Sequence, residues 1–157
     1  MRRAIVVTTI LILCLSVPTV NATESRETDC ISGSSSWSLQ DQECAVFALG
    51  SIVPGDVHSI QFQTDNMIDI LIFSQAGFAV YSNDQSYRTS NVWDEKGTIE
   101  SLNGSAEWRW TAPVDKSQTN WYLVIDNLDH PQDDDQGASG GYSASGSITI
   151  ESATVRS

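Results

Sequence analysis

Basic side chains are scarce in this chain. Its 157 residues include 8 lysines and arginines against 20 aspartates and glutamates, which gives a formal net charge of −12. A surface of that sign repels a phosphate backbone, so we expect no nucleic-acid partner. Histidine is rare as well, and only His58 and His130 could act as imidazole bases.

Long apolar runs are missing except at the N-terminus. Met1-Arg2-Arg3 precedes an apolar run over residues 4–15, and small residues follow up to Ala22. This order predicts a signal peptide over residues 1–22, and therefore a secreted, extracellular or cell-envelope protein. The run is shorter than the roughly 20 residues of a membrane span, so we expect no transmembrane segment after cleavage. The alternative is an uncleaved N-terminal anchor.

Cysteine is also sparse, with three residues of which Cys14 lies in the predicted signal peptide. In an exported chain, the remaining pair of Cys30 and Cys44 predicts a disulfide. It would close a loop of about 15 residues, worth about 3 kcal/mol in the chain-entropy model. Free thiols or an intermolecular bridge are the alternatives, since two thiolates without nearby histidines make a poor zinc site.

A convincing helical period is absent, whereas period-two alternation recurs. Residues 57–63 and 142–151 alternate between apolar and polar side chains, and residues 68–73 form a β-branched run typical of a buried strand. About six to eight short strands separated by turn residues predict an all-β fold, a two-layer antiparallel sandwich of jelly-roll type.

The pattern divides the chain into four parts. These are a signal peptide (1–22), a polar, loop-like N-terminal segment (23–43), a β-sandwich domain (44–152) and a C-terminal tail (153–157). Within the domain, residues 78–81 are predicted as a brief strand. Residues 82–104 are predicted as a long loop with at most one short strand.

Tryptophan is plentiful, and three of the five tryptophans lie in two predicted strands, Trp108–Pro113 and Asn120–Asn127, joined by a polar turn. Their alternation fits a sandwich core, and a stacking surface for a ligand is the alternative. Trp37 and Trp93 fall in predicted loops, so they are the candidates for a ligand-binding surface.

A family resemblance rests on the order of these elements. Val53-Pro54-Gly55-Asp56 precedes an alternating strand, then come residues 68–72, an aromatic strand ending in Ala112-Pro113, the block Trp121–Asn127 and a terminal Gly-Ser-Ile-Thr-Ile strand. Over residues 45–151 this resembles exported jelly-roll sandwiches of the pre-peptidase C-terminal (PPC) type, and also the GOLD (p24-type) sandwich. The resemblance implies an accessory role in binding, targeting or assembly.

Oxygen ligands are concentrated after the Trp121 strand. Calcium takes six to eight oxygens from carboxylates, amides and carbonyls. The candidate calcium ligands are Asp126, Asn127, Asp129, Asp133, Asp134 and Asp135. The spacing of an EF-hand is absent, and a solvated acidic loop is the alternative. Asn127 could instead shape the loop through hydrogen bonds. We expect no other cofactor.

Two short motifs remain. Residues 137–141 match the G-x-S-x-G elbow of hydrolases around Ser139, but an acidic loop precedes them and a strand follows, so we predict a turn and no catalytic residue. Asn103-Gly104-Ser105 has the form of an N-glycosylation sequon. These observations together predict a secreted, non-catalytic domain that binds an extracellular protein or glycan. A calcium-stabilised envelope domain and a small hydrolase are the alternatives.

Overall fold

The computed structural model describes residues 30–33, 35–83, 87, 97–114, 120–128 and 141–153. Over these residues the chain is mostly extended, and the all-β prediction is confirmed. The elements are β1 (Cys30–Ser32), β2 (Ser36–Leu39), β3 (Cys44–Ser51), β4 (Val57–Ser74), α1 (Gln75–Ser82), β5 (Ile99–Thr111), β6 (Asn120–Asp126) and β7 (Ala144–Ala153).

The 18-residue strand β4 is the centre of the sheet. Its first half, residues 57–64, lies between β5 and β7, whereas its second half, residues 69–74, pairs with β6. The register with β5 shifts between Thr64 and Ile68 and again between Ile68 and Ile70, and in this region β6 replaces β7 as the other neighbour of β4. The sheet therefore curls around β4 in the order β1-β3-β6-β4-β7-β2, with β5 added on β4.

Pairing is antiparallel throughout the described residues except between β1 and β3, which run parallel. All seven strands belong to one connected sheet. The division into two separate layers, as in a sandwich, stays a prediction.

The core lies inside the curl. The first half of β4 alternates between buried and more exposed residues, as expected for a strand with one face on a core. Trp110 and Trp121 are 1% exposed and meet edge to face with ring centroids 5.0 Å apart, while Trp108 packs at the margin. The core position predicted for Trp110 and Trp121 is confirmed, whereas Trp108 is only partly buried.

A second apolar cluster covers the outer face of the second half of β4, which is why that half is buried on both faces. Phe73 of β4 contacts the rings of Tyr81 and Tyr87, with centroids 5.1 and 4.9 Å away. Tyr81 belongs to α1, whose N-cap Ser74 accepts a hydrogen bond from the Gly77 N–H.

One prediction for this region is wrong. Residues 78–81 are helical rather than extended, because their four mostly apolar residues lack alternation and follow a capping serine. The one strand allowed for residues 82–104 is the start of β5 at Ile99, and β5 continues for 13 residues along β4.

The N-terminal segment is also more ordered than expected, because β1 and β2 both lie within residues 23–43. The predicted disulfide between Cys30 and Cys44 is confirmed, and the two cysteines are directly opposite each other in the β1–β3 pair. β1 pairs with the edge of β3 that faces away from β6, and β2 pairs with the edge of β7 that faces away from β4. This segment thus bridges the seam, which we define as the gap between β3 and β7 where the curled sheet does not close.

No helix within the described ranges is long and apolar enough to cross a membrane.

Candidate functional site

The predicted calcium ligands begin at the end of β6, where both described members are buried. Asp126 accepts a hydrogen bond from the Leu128 N–H at 2.8 Å, which fixes the chain just after the strand. The Asn127 amide donates to the carbonyls of Gln40 at 2.9 Å and Tyr142 at 2.6 Å. Asn127 thus joins three chain segments, in keeping with its alternative role of shaping the loop.

A buried acidic partner of Asp126 was missed by the sequence reasoning. Asp69 lies directly opposite Asp126 in the β4–β6 pair, and each residue is 1% exposed. Directly opposite side chains share a face of the sheet, so Asp69 and Asp126 lie on the same face. Asp69 also accepts a hydrogen bond from the Ser101 N–H. The signal was a single aspartate inside an otherwise apolar strand.

No group of three or more histidine, cysteine or acidic residues is arranged to hold a metal ion in the part of the chain that the structure describes. The other predicted calcium ligands, Asp129, Asp133, Asp134 and Asp135, lie outside the described residues, as do Trp93 and Ser139. Calcium binding therefore stays a prediction.

The surface position predicted for Trp37 is wrong. Trp37 is 6% exposed and stacks on Phe62 with ring centroids 5.3 Å apart. Its neighbours in β2 alternate with it, and this alternation was the overlooked signal of a strand with one buried face. The sequon residue Asn103 is exposed on β5, and its glycosylation stays a prediction.

The seam contains an open groove of about 450 Å³. Its walls are formed by β3 and by the last part of β7, with the end of β1 at one side. Apolar side chains predominate, and the polar ones include a histidine and two serines. The lining residues are Ser32, Gly33, Val46, Phe47, Ala48, Leu49, His58, Ile150 and Ser152.

His58 is the buried polar residue of this groove, with 4% of its surface exposed. Its Nδ1 lies 2.9 Å from the Ser152 hydroxyl, and its buried Nε2 has no hydrogen-bond partner among the residues that the structure describes. Burial lowers the pKa of His58 below its ordinary value of 6.5, and the nearby Asp56 carboxylate partly offsets this effect.

A histidine beside a serine is also the minimal arrangement of a hydrolytic pair. In such enzymes a third group orients the histidine through its second nitrogen. Within the described residues, the second nitrogen of His58 has no such group. The absence of catalysis stays a prediction.

A second groove, of about 510 Å³, lies on the outer face of β5, β4 and β7. Here directly opposite residues form polar rows across the three strands. One row consists of Glu107, Gln61 and Thr149, and the next of Ser105, Gln63 and Ser147. We call this surface the polar face; its composition is that of a solvated side of an antiparallel sheet.

No protein-family model matches this chain, and no curated protein matches it in sequence. The similarity to PPC and GOLD sandwiches therefore stays a prediction.

Proposed function

We propose that this chain is an exported, non-catalytic binding domain and that the groove in the seam is its ligand site. The observation that carries the proposal is the composition of the groove: an apolar wall made by Phe47, Leu49 and Ile150, with hydrogen-bonding groups from His58 and Ser152. Ligand sites are typically concave, mostly apolar and equipped with a few polar groups that orient the ligand.

The charges around the groove favour a protein ligand over an anionic one. The described lining residues include no lysine or arginine, and burial favours the neutral form of His58. An anionic head group would meet no compensating charge there, whereas the apolar side chains of a protein segment would lose water on entering.

Export is supported by the Cys30–Cys44 disulfide, since such bonds persist mainly in oxidising compartments. The predicted signal peptide supports the same location.

The test is an unbiased selection of ligands. A phage-displayed heptapeptide library is panned against the wild-type chain, against Leu49→Lys, which places a charge in the groove, and against Gln61→Lys, its control on the polar face. A glycan array is probed with the same three proteins. We expect peptides that bind the wild type and Gln61→Lys with similar affinity and bind Leu49→Lys at least tenfold more weakly.

Two results would contradict the proposal. One is a library that yields no peptide binding above background. The other is glycan or peptide binding that survives Leu49→Lys but is lost in Gln61→Lys, because this would place the ligand on the polar face. Thermal melts of each variant verify that it is folded.

A second candidate function, calcium-stabilised structure, is favoured by the pair of buried carboxylates at Asp69 and Asp126. Carboxylate oxygens are ligands that calcium prefers, and Asp69 and Asp126 would supply part of such a ligand set. Melting the chain in millimolar calcium and in chelator tests this function, with Asp126→Asn as the variant and Asp65→Asn, an exposed aspartate, as the control. A rise of several degrees with calcium, abolished only in Asp126→Asn, is expected; identical melts would eliminate it.

A further inference from the structure

We infer that the ligand of the seam groove is an extended peptide segment that pairs through its main chain with β7 and so adds a strand to the sheet. This inference rests on the proposed function and adds the chemistry of recognition: hydrogen bonds to the main chain give affinity, and alternate side chains give specificity.

The edge of β7 has main-chain groups that face the seam. β2 pairs with residues 144–147 of β7, and the Ile148 N–H donates to the Ser35 carbonyl at 2.9 Å, so the main chain of Ile148 faces the seam. Main-chain groups of an antiparallel strand point alternately to its two sides. Those of Ile150 and Ser152 therefore face the seam too, where no strand of the described ranges pairs with them.

The edge of β3, which forms the opposite wall of the groove, also has main-chain groups that face the seam. The Gly33 N–H donates to the Val46 carbonyl at 2.8 Å, which shows that the main chain of Val46 faces the seam. Beyond that point β1 has ended, and β3 pairs within the described residues only with β6 on its other side. Unpaired strand edges are ready templates for another extended chain.

The neighbouring part of the seam indicates which kind of ligand the groove would hold. The neighbouring part of the seam is already filled by extended chain, since β1 pairs with β3 and β2 pairs with β7. The groove begins where these two strands end, at Gly33, and offers the same two edges. A segment running antiparallel to β7 would repeat the pairing that β2 makes. Its alternate apolar side chains would face Phe47 and Ile150.

The experiment uses the heptapeptides selected on the wild-type chain. Ser152→Pro removes the N–H that faces the seam, and proline is tolerated at a strand edge when its nitrogen faces outward. Ser152→Ala is the matched control, because it removes the hydroxyl but keeps the N–H. We expect binding to Ser152→Pro to be at least tenfold weaker than binding to Ser152→Ala, because only the proline variant lacks the N–H.

A second series leaves the protein unchanged. Each selected peptide is synthesised with a single N-methyl group moved along its length. N-methylation deletes one main-chain donor, so binding should fall at least tenfold at every second position and change little between them. Alternation with period two supports strand addition even if Ser152→Pro fails to fold.

The outcomes are separable from those of the proposed function. If no peptide is selected, the proposed function itself fails. If peptides bind in the groove but tolerate N-methylation at every position, only the strand-addition inference is overturned. Self-association of the wild-type chain through this edge, measured by sedimentation and lost in Ser152→Pro, would also overturn it, because the occupant would then be a second copy.

Discussion

Removal of the disulfide gives the sharpest test of how the seam is held together. The Cys30–Cys44 bond anchors β1, a strand of three residues, to β3. The double variant Cys30→Ser/Cys44→Ala releases a loop of about 15 residues in the unfolded chain, which corresponds to about 3 kcal/mol of lost stability in the chain-entropy model. Cys44 is fully buried, so the loss of its sulfur adds to that cost.

Urea unfolding followed by tryptophan fluorescence measures this loss. For a domain of this size, 3 kcal/mol corresponds to a decrease in Tm of roughly 10 °C. Reducing the wild type with dithiothreitol should reproduce most of the loss, whereas the reductant should leave the double variant unchanged. A loss below about 1 kcal/mol in the double variant would refute the reasoning, because β1 would then be held by contacts other than the disulfide.

Three further perturbations address the seam and its surroundings. Because the pKa of His58 is lowered, the folded state binds fewer protons than the unfolded state below pH 6.5. The contribution of His58 to the free energy of unfolding should therefore be complete above pH 6.5 and fall as the pH decreases through that value, by at most about 1.4 kcal/mol per pH unit. Urea titrations should show that His58→Gln lacks this pH-dependent component. In the same assay Gly146→Ala should lower the free energy of unfolding by at least about 2 kcal/mol, because the added Cβ would overlap the Gln63 carbonyl oxygen of β4. The control Ser147→Ala should change it by no more than about 0.5 kcal/mol. Equal stabilities of the two variants would contradict the close approach of β4 and β7. Asn127→Ala should lower the free energy of unfolding by about 2 kcal/mol, because it removes the hydrogen bonds to the carbonyls of Gln40 and Tyr142. An unchanged melting curve would contradict the role of Asn127 in joining these chain segments.

The elements that alternate in sequence were the ones most readily predicted. The first half of β4 and the end of β7 each bury one face, and such strands are recognisable from period two alone. The second half of β4 was recognisable as a buried strand from its β-branched run. Its continuity with the first half was not, because Thr64-Asp65-Asn66 has the composition of a turn. In the structure the strand continues through this point, and Asp65 accepts hydrogen bonds from the Ser145 N–H and hydroxyl, which lower its pKa.

The seam groove itself could not be predicted from sequence. Its walls come from residues about 100 positions apart, and only the pairing order of the strands brings Phe47 and Ile150 to the same cavity. The hydrogen bond between His58 and Ser152 depends on the same register. Local patterns specify which face of a strand is buried but not which edge is left without a neighbour.

Amide hydrogen exchange of the chain bound to a selected peptide tests the central claim most directly. If the groove receives an added strand, the amides of Ile150 and Ser152 exchange much more slowly in the complex, and those on the polar face, such as Gln61, do not change. Unaltered exchange at Ile150 and Ser152 when the protein is saturated with peptide would contradict the account.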